Sequence, residues 1–355
     1  MKLLFHIGLL GGGGAERVMV NLANYFTKES KNEVLLIALY PIENEYEISG
    51  NVRVKYLFSE RYVGSVFKRD FHSVSQLRKT INEEKPDIVL AFLPIPCLRI
   101  LVSAIGQKCK TILSVRSDPN FEYYNFFHKV LARTLYGFAD VVVFQTQEAR
   151  AFFPKRIQKK SVIIMNQVNE KFFEADIVND RKDVVALGRL IKGKNFEMLI
   201  EAFSKIYDKI TDNLIIYGEG PLREELEVLI KEKGLTERVF LPGHTQDVIN
   251  SIKGAKAFVL SSDYEGMPNA LLEAMALGVP CISTDCPCGG PREIITDGEN
   301  GFLVPVNDAV SLAEKLLELI NNEELKNKFS EEARESAEKF KPDKIFNEWE
   351  NVLLK

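Results

Sequence analysis

The feature that most constrains the fold is a regular alternation of short apolar runs with segments of helical periodicity, and this alternation occurs twice. Apolar or β-branched runs that alternate with amphipathic helices are typical of parallel sheets covered by helices on both faces. The pattern stops in a polar stretch at about 165–180 and then starts again. For a chain of 355 residues, this predicts two doubly wound α/β domains joined by a linker.

The alternation also predicts the order of the elements. In the first half we expect strands at 2–8, 33–39, 52–57, 87–92, 111–115 and 140–144, and helices near 15–28, 68–84, 96–106, 121–138 and 146–153. In the second half we expect strands at 183–188, 213–217, 238–240, 256–260 and 280–283, and helices near 195–208, 221–233, 246–252, 269–277, 308–320 and 322–338. The domains are therefore 1–170 and 171–338, and the segment 339–355 contains an amphipathic helix, at 342–353, that is free to pack back on the first domain.

The charge of the chain excludes some partners. With 46 Lys and Arg against 50 Asp and Glu, the net charge of −4 is too balanced for a dedicated nucleic-acid binder. The first 175 residues hold 24 basic and 17 acidic residues, whereas the remainder holds 22 and 33. A basic first half indicates an anionic partner or surface on that side, and chance is the alternative explanation.

Compartment and metal content follow from the apolar runs and the cysteines. No run approaches the ~20 apolar residues that span a bilayer, and no cleavage site follows the N-terminal apolar segment, so we expect a cytoplasmic protein. Cys281, Cys286 and Cys288 are close in sequence, but they lack the C-x-x-C unit and a histidine at ligand spacing. We therefore expect no metal site there.

A glycine cluster follows the first predicted strand. Four consecutive glycines end in Gly13 and Gly14, and a helix is predicted to begin directly after them. Such a turn lets the backbone approach a ligand and points helix N-terminal N–H groups at a phosphate or a sugar hydroxyl. A turn that merely needs positive φ is the alternative. A dinucleotide fingerprint is disfavoured, because the third glycine and the acidic ribose ligand after strand 33–39 are missing.

The second half repeats this arrangement with cations. Strand 183–188 ends in a loop that carries Arg189 and Lys194 and leads into a helix. Cations beside a helix N-terminus suit two adjacent phosphates, whereas solvated surface residues are the alternative. Strand 213–217 ends in a similar turn at Gly218, which is weak evidence by itself.

Two carboxylates follow the predicted strand 256–260. Glu265 lies in a loop and Glu273 in the apolar face of the helix 269–277, so they can hold two parts of one elongated ligand. The N–H groups of Asn269, Ala270 and Leu271 can donate to a phosphate between them. The alternative is that Glu265 caps the helix and Glu273 is solvated, but the apolar neighbours of Glu273 argue against this.

These motifs together resemble the donor half of retaining GT-B glycosyltransferases of family 4. The resemblance is carried by Gly188-Arg189-Leu190, Lys194, Gly218-Glu219-Gly220-Pro221, Glu265-x7-Glu273 and Gly278-Val279-Pro280. The segments 13–18, 284–287 and 290–293 are similar to those of bacterial members that build lipid-linked oligosaccharides and surface polysaccharides. This resemblance implies a GT-B fold, with two Rossmann-like domains that face each other across a cleft.

The resemblance also implies an activity: transfer of a hexose or N-acetylhexosamine from a UDP-sugar to a sugar acceptor, with retention of configuration. By the resemblance, Arg189 and Lys194 hold the diphosphate, Glu273 the ribose, and Glu265 faces the donor sugar. Gly243 and His244 lie beside the base, while Gly13 and Gly14 approach from the opposite domain. The remaining donor contacts are Gly218, Met267, Asn269, Ala270 and Leu271. No cofactor or essential metal is implied.

One position departs from the family pattern. Many members have a histidine where this chain has Arg116, after the strand 111–115. An arginine stays protonated and cannot act as a general base, but it can stabilise a phosphate or hold the acceptor. Asp118 is an alternative base, although a same-face transfer requires none. We therefore include Arg116 in the site without a fixed role.

The acceptor should meet the basic first half. The segment 61–71 interleaves cations with aromatic residues, which suits an anionic membrane surface or a pyrophosphate-linked lipid, and an ordinary solvated helix is the alternative. The expected acceptor is a sugar, with a polyprenyl-pyrophosphate-linked one as the candidate, at the cytoplasmic face of the inner membrane. The alternative hypotheses are a nucleotide-sugar epimerase, a non-catalytic UDP-sugar-binding protein and a phosphorylase-like enzyme. No cofactor lysine is evident for the last of these.

Overall fold

The computed structural model describes residues 1–28, 32–123, 125–178 and 180–354. They form two compact units, the first comprising Met1–Asn166 with Ile345–Lys355 and the second comprising Gln167–Lys344. Each unit is built around one parallel β-sheet. The prediction of two doubly wound α/β domains is therefore confirmed.

The first sheet has seven strands among the described residues, in the order β3-β2-β1-β4-β5-β6-β7. They are β1 (Lys2–His6), β2 (Glu33–Ala38), β3 (Arg53–Tyr56), β4 (Ile88–Phe92), β5 (Lys110–Ser114), β6 (Val141–Phe144) and β7 (Ser161–Ile163). The helices are α1 (Gly14–Lys28), α2 (Val66–Glu84), α3 (Pro94–Ser103), α4 (Pro119–Glu122), α5 (Phe126–Leu135), α6 (Gln147–Ala151) and α7 (Lys155–Gln158). All five residues of β4 are buried, because helices cover both faces of a parallel sheet.

The second sheet has six strands in the described chain, in the order β10-β9-β8-β11-β12-β13. They are β8 (Val184–Leu187), β9 (Leu214–Tyr217), β10 (Val239–Gly243), β11 (Ala257–Leu260), β12 (Cys281–Thr284) and β13 (Phe302–Val304). Its helices are α8 (Glu170–Glu174), α9 (Phe196–Ser204), α10 (Arg223–Glu232), α11 (Val248–Ile252), α12 (Asn269–Ala276), α13 (Gly290–Ile294), α14 (Ala309–Asn321) and α15 (Glu323–Ala337), and they are followed by α16 (Pro342–Leu353).

The strand order determines where each unit can bind a ligand. The order reverses between β1 and β4 in the first sheet and between β8 and β11 in the second. Open α/β sheets bind ligands at the carboxyl ends of the strands beside such a reversal. The loops that follow β1, β8 and β11 therefore occupy the positions where ligand-binding residues are expected.

The last helix completes the core of the first unit. The ring of Phe346 stacks on Tyr25 of α1 with 4.2 Å between centroids, and the fully buried Trp349 lies 5.7 Å from Phe92 at the end of β4. Lys110 Nζ donates a hydrogen bond to the carbonyl oxygen of Val352 at 2.7 Å. The amphipathic face predicted for 342–353 is thus buried against the first sheet and α1.

The boundary between the units differs slightly from the predicted domain ends at 170 and 338. The N–H of Val168 donates to the carbonyl oxygen of Phe340 at 2.9 Å, and both side chains are buried. This contact places 167–170 with the second sheet. It also keeps 339–344 in the second unit, so that only Ile345–Lys355 belongs to the first.

Most predicted elements are present, and their ends lie within a few residues of the predicted ones. The short strands β7 and β13 were not predicted, nor were the short helices α7, α8 and α13. The single helix predicted at 121–138 is wrong: α4 ends at Glu122 and α5 begins at Phe126, because the side chain of Asn125 accepts a hydrogen bond from the N–H of His128 and caps a new helix. Within the described residues, no helix has the length and apolar character needed to cross a membrane.

Replacement of Trp349 by alanine tests the role of α16. We expect W349A to lower the free energy of unfolding by about 3–5 kcal/mol, because it leaves a cavity beside Phe92. Urea unfolding monitored by circular dichroism measures the change. L354A is the control, since Leu354 is 36% exposed and should change little. Equal midpoints for W349A and the wild type would contradict the packing role of α16.

Candidate functional site

An ion pair joins the two loops that flank the strand reversal of the second sheet. Lys194, in the loop after β8, contacts Oε1 of Glu265, in the loop after β11, and their side chains are only 24% and 14% exposed. Ser262 Oγ donates to the same carboxylate oxygen at 2.7 Å. The carboxylate of Glu265 is therefore oriented by two partners, and each charge of the pair is compensated where water is partly excluded.

Further hydrogen bonds hold these loops together. Ser261 Oγ donates to the carbonyl oxygen of Lys194 at 2.8 Å, and the N–H of Asp263 donates to the carbonyl oxygen of Gly193 at 3.0 Å. Asn195 has a left-handed backbone (φ 47°), and its Nδ2 donates to Oδ1 of Asp263 at 2.6 Å. The position of Lys194 is therefore fixed by backbone contacts as well as by its own charge.

Two glycines allow the neighbouring loops to approach closely. A side chain at Gly218, after β9, would overlap the carbonyl oxygen of Gly188, and its φ of +148° also disfavours other residues. A side chain at Gly290, the first residue of α13, would overlap the carbonyl oxygen of Gly266, next to Glu265. The loops after β8, β9, β11 and β12 thus form one compact edge.

Helix α12 begins at this edge. Pro268 precedes the first helical residue, Asn269, and makes no side-chain capping hydrogen bond. The first N–H groups of a helix, with the positive end of its dipole, favour an anionic group. Glu273 lies one turn further along α12 and is 5% exposed, and Met267 and Leu271 are buried as well. Ala270, in the first turn, is partly exposed.

The remaining predicted residues of the second unit differ in exposure. Arg189 is exposed, and within the described part of the chain its guanidinium has no ion pair or hydrogen bond with another side chain. Gly243 ends β10 and its carbonyl oxygen accepts a hydrogen bond from the N–H of Gly218 at 2.9 Å, whereas the neighbouring His244 is exposed. The edge thus combines cations, carboxylates and helix N–H groups, which suits a ligand with both phosphate and hydroxyl groups.

In the first unit, Arg116 is buried at the carboxyl edge of the sheet. It is 7% exposed, donates to Oδ1 of Asn166, and lies over the ring of Phe92 at 4.5 Å from its centroid. Burial lowers the pKa of the Arg116 guanidinium to about 9. Asn166 Oδ1 also accepts from Gln145 Nε2 at 2.8 Å, so neutral oxygens, those of Asn166 and Ser114, rather than a carboxylate face this cation among the described residues.

The glycine turn of the first unit lies beside acidic residues. The hydroxyl of Tyr46 donates to the carbonyl oxygen of Gly13 at 3.1 Å, and a side chain at Gly13 would overlap the carboxylate of Glu16. Gly14, the first residue of α1, is exposed. Burial, and then the charges of Asp118 and Glu16, raise the pKa of Glu122 to about 8, so this carboxyl is protonated at neutral pH.

The structure thus brings together, in the second unit, the predicted residues at 188–194, 218, 243 and 265–273, and places Gly13, Gly14 and Arg116 on the carboxyl edge of the first sheet. Ser262 and Asn195, which position Glu265 and the Lys194 loop, are not among the predicted site residues. A serine directly after a buried strand was the available signal.

Cys286 and Cys288 are buried, and the described residues contain no group of three His, Cys, Asp or Glu side chains that could hold a metal.

Comparisons with known proteins cover both units. Residues 12–172 match the family described as Glycosyltransferase Family 4, and residues 167–336 match the family described as Glycosyl transferases group 1. A relative from Campylobacter jejuni, named GalNAc-alpha-(1->4)-GalNAc-alpha-(1->3)-diNAcBac-PP-undecaprenol alpha-1,4-N-acetyl-D-galactosaminyltransferase, is 29% identical over 99% of this chain and 98% of its own length.

Two further similarities extend over the whole chain. The amylovoran biosynthesis glycosyltransferase AmsD from Erwinia amylovora is 25% identical over 99% of both chains. Among solved structures, that of Anabaena HepE in complex with UDP and glucose superimposes with a TM-score of 0.84 at 17% identity and covers 100% of both chains. At this identity the structural similarity establishes the fold.

Replacement of Gly290 by alanine tests the close packing of the edge. We expect G290A to lower the free energy of unfolding by about 1–3 kcal/mol, because the added methyl group displaces the carbonyl of Gly266. Thermal unfolding measures the effect. G254A is the matched control, since a side chain at Gly254 meets open space at an ordinary φ. Equal melting temperatures for the two variants would contradict the close contact between Gly290 and the carbonyl of Gly266.

Proposed function

Because this chain belongs to the GT-B glycosyltransferases of family 4, we propose that it transfers a hexose or N-acetylhexosamine from a UDP-sugar to a lipid-linked sugar, with retention of configuration. Its similarity to bacterial enzymes of polysaccharide and glycan synthesis supports an acceptor of this class. The Campylobacter relative is named for a diphospho-undecaprenol-linked acceptor, and HepE was solved with UDP and with UDP-glucose.

The ion pair between Lys194 and Glu265 beside the start of α12 is the observation that carries this proposal. A nucleoside diphosphate leaving group develops negative charge as its bond to the sugar breaks. Lys194 and Arg189, together with the N–H groups of α12, supply positive charge at one place, where it stabilises that developing charge. Glu265 then faces the sugar, and Glu273 takes the ribose hydroxyls.

The proposed transfer occurs on one face of the donor sugar. The bond between the anomeric carbon and the diphosphate oxygen breaks, and a bond from the acceptor hydroxyl oxygen to the same carbon forms. The hydroxyl proton moves to the departing diphosphate oxygen, so no protein base is needed. The products are UDP and a glycoside with the configuration of the donor.

On the acceptor side, we assign Arg116 to an anionic part of the acceptor. Its guanidinium is buried without a carboxylate partner among the described residues, and a pyrophosphate-linked sugar carries the complementary charge. Gly13 and Gly14 present backbone groups at the same sheet edge. We propose that the reaction uses no metal, since Arg189 and Lys194 supply the positive charge, and that it takes place in the cytoplasm, where UDP-sugars are the donors.

Substitution of Lys194 tests the proposal. We expect K194Q to reduce turnover by about 10²–10³-fold, because the leaving diphosphate loses a cation. The assay measures UDP release from a panel of UDP-hexoses and UDP-N-acetylhexosamines with a short-chain polyprenyl-diphosphate-linked sugar, in buffer containing EDTA. K192Q is the matched control, since Lys192 lies in the same loop but is exposed. Turnover by K194Q within twofold of K192Q would contradict the assigned role.

The same assay separates the alternatives. An epimerase converts the UDP-sugar without an acceptor, and a binding protein releases no UDP with any acceptor. A glycosyltransferase releases UDP only when the acceptor is present. Nuclear magnetic resonance of the product gives the anomeric configuration, and an inverted product would overturn the same-face mechanism.

A further inference from the structure

Three helices of the first unit begin at the edge of the sheet that carries Gly13 and Arg116. The connections β3-α2-β4, β4-α3-β5 and β5-α5-β6 all cross in the same direction, so the right-handed rule places α2, α3 and α5 on one face of the sheet. Helix α3 packs between α2 and α5. Because crossover helices run antiparallel to the strands, their N-terminal turns all lie at the carboxyl edge.

These N-terminal turns expose large apolar side chains. In α2, Phe67 and Phe71 are 89% and 79% exposed, and in α5, Phe126 and Phe127 are 83% and 69% exposed. Ile95 at the start of α3 is 49% exposed. Single exposed apolar residues are ordinary, but a group of aromatic side chains at one edge indicates an interaction surface.

The α2 part of this surface is concave. An open groove of about 610 Å³ is lined by Phe58, Tyr62, Phe67, Lys68, Phe71 and His72. The ring of Phe58 lies 5.2 Å from that of Tyr62 and 5.1 Å from that of His72. The surface therefore offers aromatic faces next to an ammonium group.

The charges around these aromatic residues are mainly positive. The segments 60–71 and 125–135 contain Arg61, Lys68, Arg69, Lys129 and Arg133 against Glu60 and Asp70. Asp70 is itself bound by Arg69 and Arg99. Aromatic side chains surrounded by cations suit the interface of a bilayer, where rings enter the acyl boundary and cations stay among anionic headgroups.

We propose that these turns, 61–71, Ile95 and 125–133, form one docking rim that seats the first unit on a bilayer containing anionic lipid. The rim deepens the proposed function, and it rests on that function for the identity of the acceptor. It lies at the sheet edge assigned to the acceptor, so a polyprenyl-linked sugar can reach Arg116 while its lipid stays in the membrane. The α5 half is required as well as the α2 half, because two separated contacts hold the edge in one orientation.

Vesicle flotation of the full-length protein tests the rim. We expect the wild type to float with phosphatidylethanolamine vesicles that contain phosphatidylglycerol, and to bind neutral phosphatidylcholine vesicles at least tenfold less. F126S/F127S and F67S/F71S should each weaken binding about tenfold, because two aromatic rings no longer insert. K129Q/R133Q should weaken binding roughly fivefold per charge removed.

Matched controls separate the rim from general effects. V310S removes a 53% exposed apolar side chain of the second unit and should bind as the wild type does. Each variant should keep the wild-type melting temperature. The proposal would be overturned if F126S/F127S bound vesicles as tightly as V310S does. It would also be overturned if the wild type did not bind vesicles but formed dimers, and if F126S/F127S dissociated those dimers.

Turnover distinguishes failure of the rim from failure of the proposed function. The rim variants should keep wild-type turnover on a water-soluble acceptor and lose about tenfold on the same sugar carried by an undecaprenyl chain in vesicles. K194Q should float as the wild type does while it loses turnover on both acceptors. Equal turnover of the rim variants and wild type on the vesicle-borne acceptor would contradict the rim without affecting the assignment of the donor site.

Discussion

The ion pair between Lys194 and Glu265 is the interaction on which the rest of the site depends. It connects the loops of β8 and β11, the two strands at which the order of the second sheet reverses. Removing one partner would leave the other charge uncompensated where water is partly excluded, although Glu265 would keep its hydrogen bond from Ser262. The pair therefore stabilises the edge, and it also supplies the charges that a nucleoside diphosphate and a sugar would contact.

The two units share the order of their first six strands but present different groups at the carboxyl edge of the sheet. In the second, short loops that approach closely at glycines present charges and the N-terminus of α12 at one edge. In the first, the charged group at the equivalent edge, Arg116, is buried among neutral oxygens and an aromatic ring, while the helix ends outside it are apolar and basic. The arrangement in the second unit suits a small polyanionic donor, and the arrangement in the first unit suits an acceptor that is partly lipid.

The sequence was sufficient for the fold and for placing most of the predicted site residues of the second unit at the carboxyl edge of its sheet. Buried parallel strands are continuous apolar runs, and polar residues directly after them fall at the carboxyl edge whatever the details of packing. The three-residue strands β7 and β13 carry too little pattern to detect. The hydrogen bond from Ser262 to Glu265 and the burial of Arg116 depend on loops distant in sequence. The exposed aromatic residues of α5 follow from the start of a new helix at Asn125, which the pattern of 121–138 does not predict.

A crystal structure of the protein with UDP would show whether Lys194 and the start of α12 bind the diphosphate. We expect the diphosphate to lie at the carboxyl edge of the second sheet, with its oxygens within hydrogen-bonding distance of Lys194 Nζ and the first N–H groups of α12, and with the ribose at Glu273. A nucleotide bound elsewhere, or one that leaves Lys194 and α12 without contact to the phosphates, would contradict it.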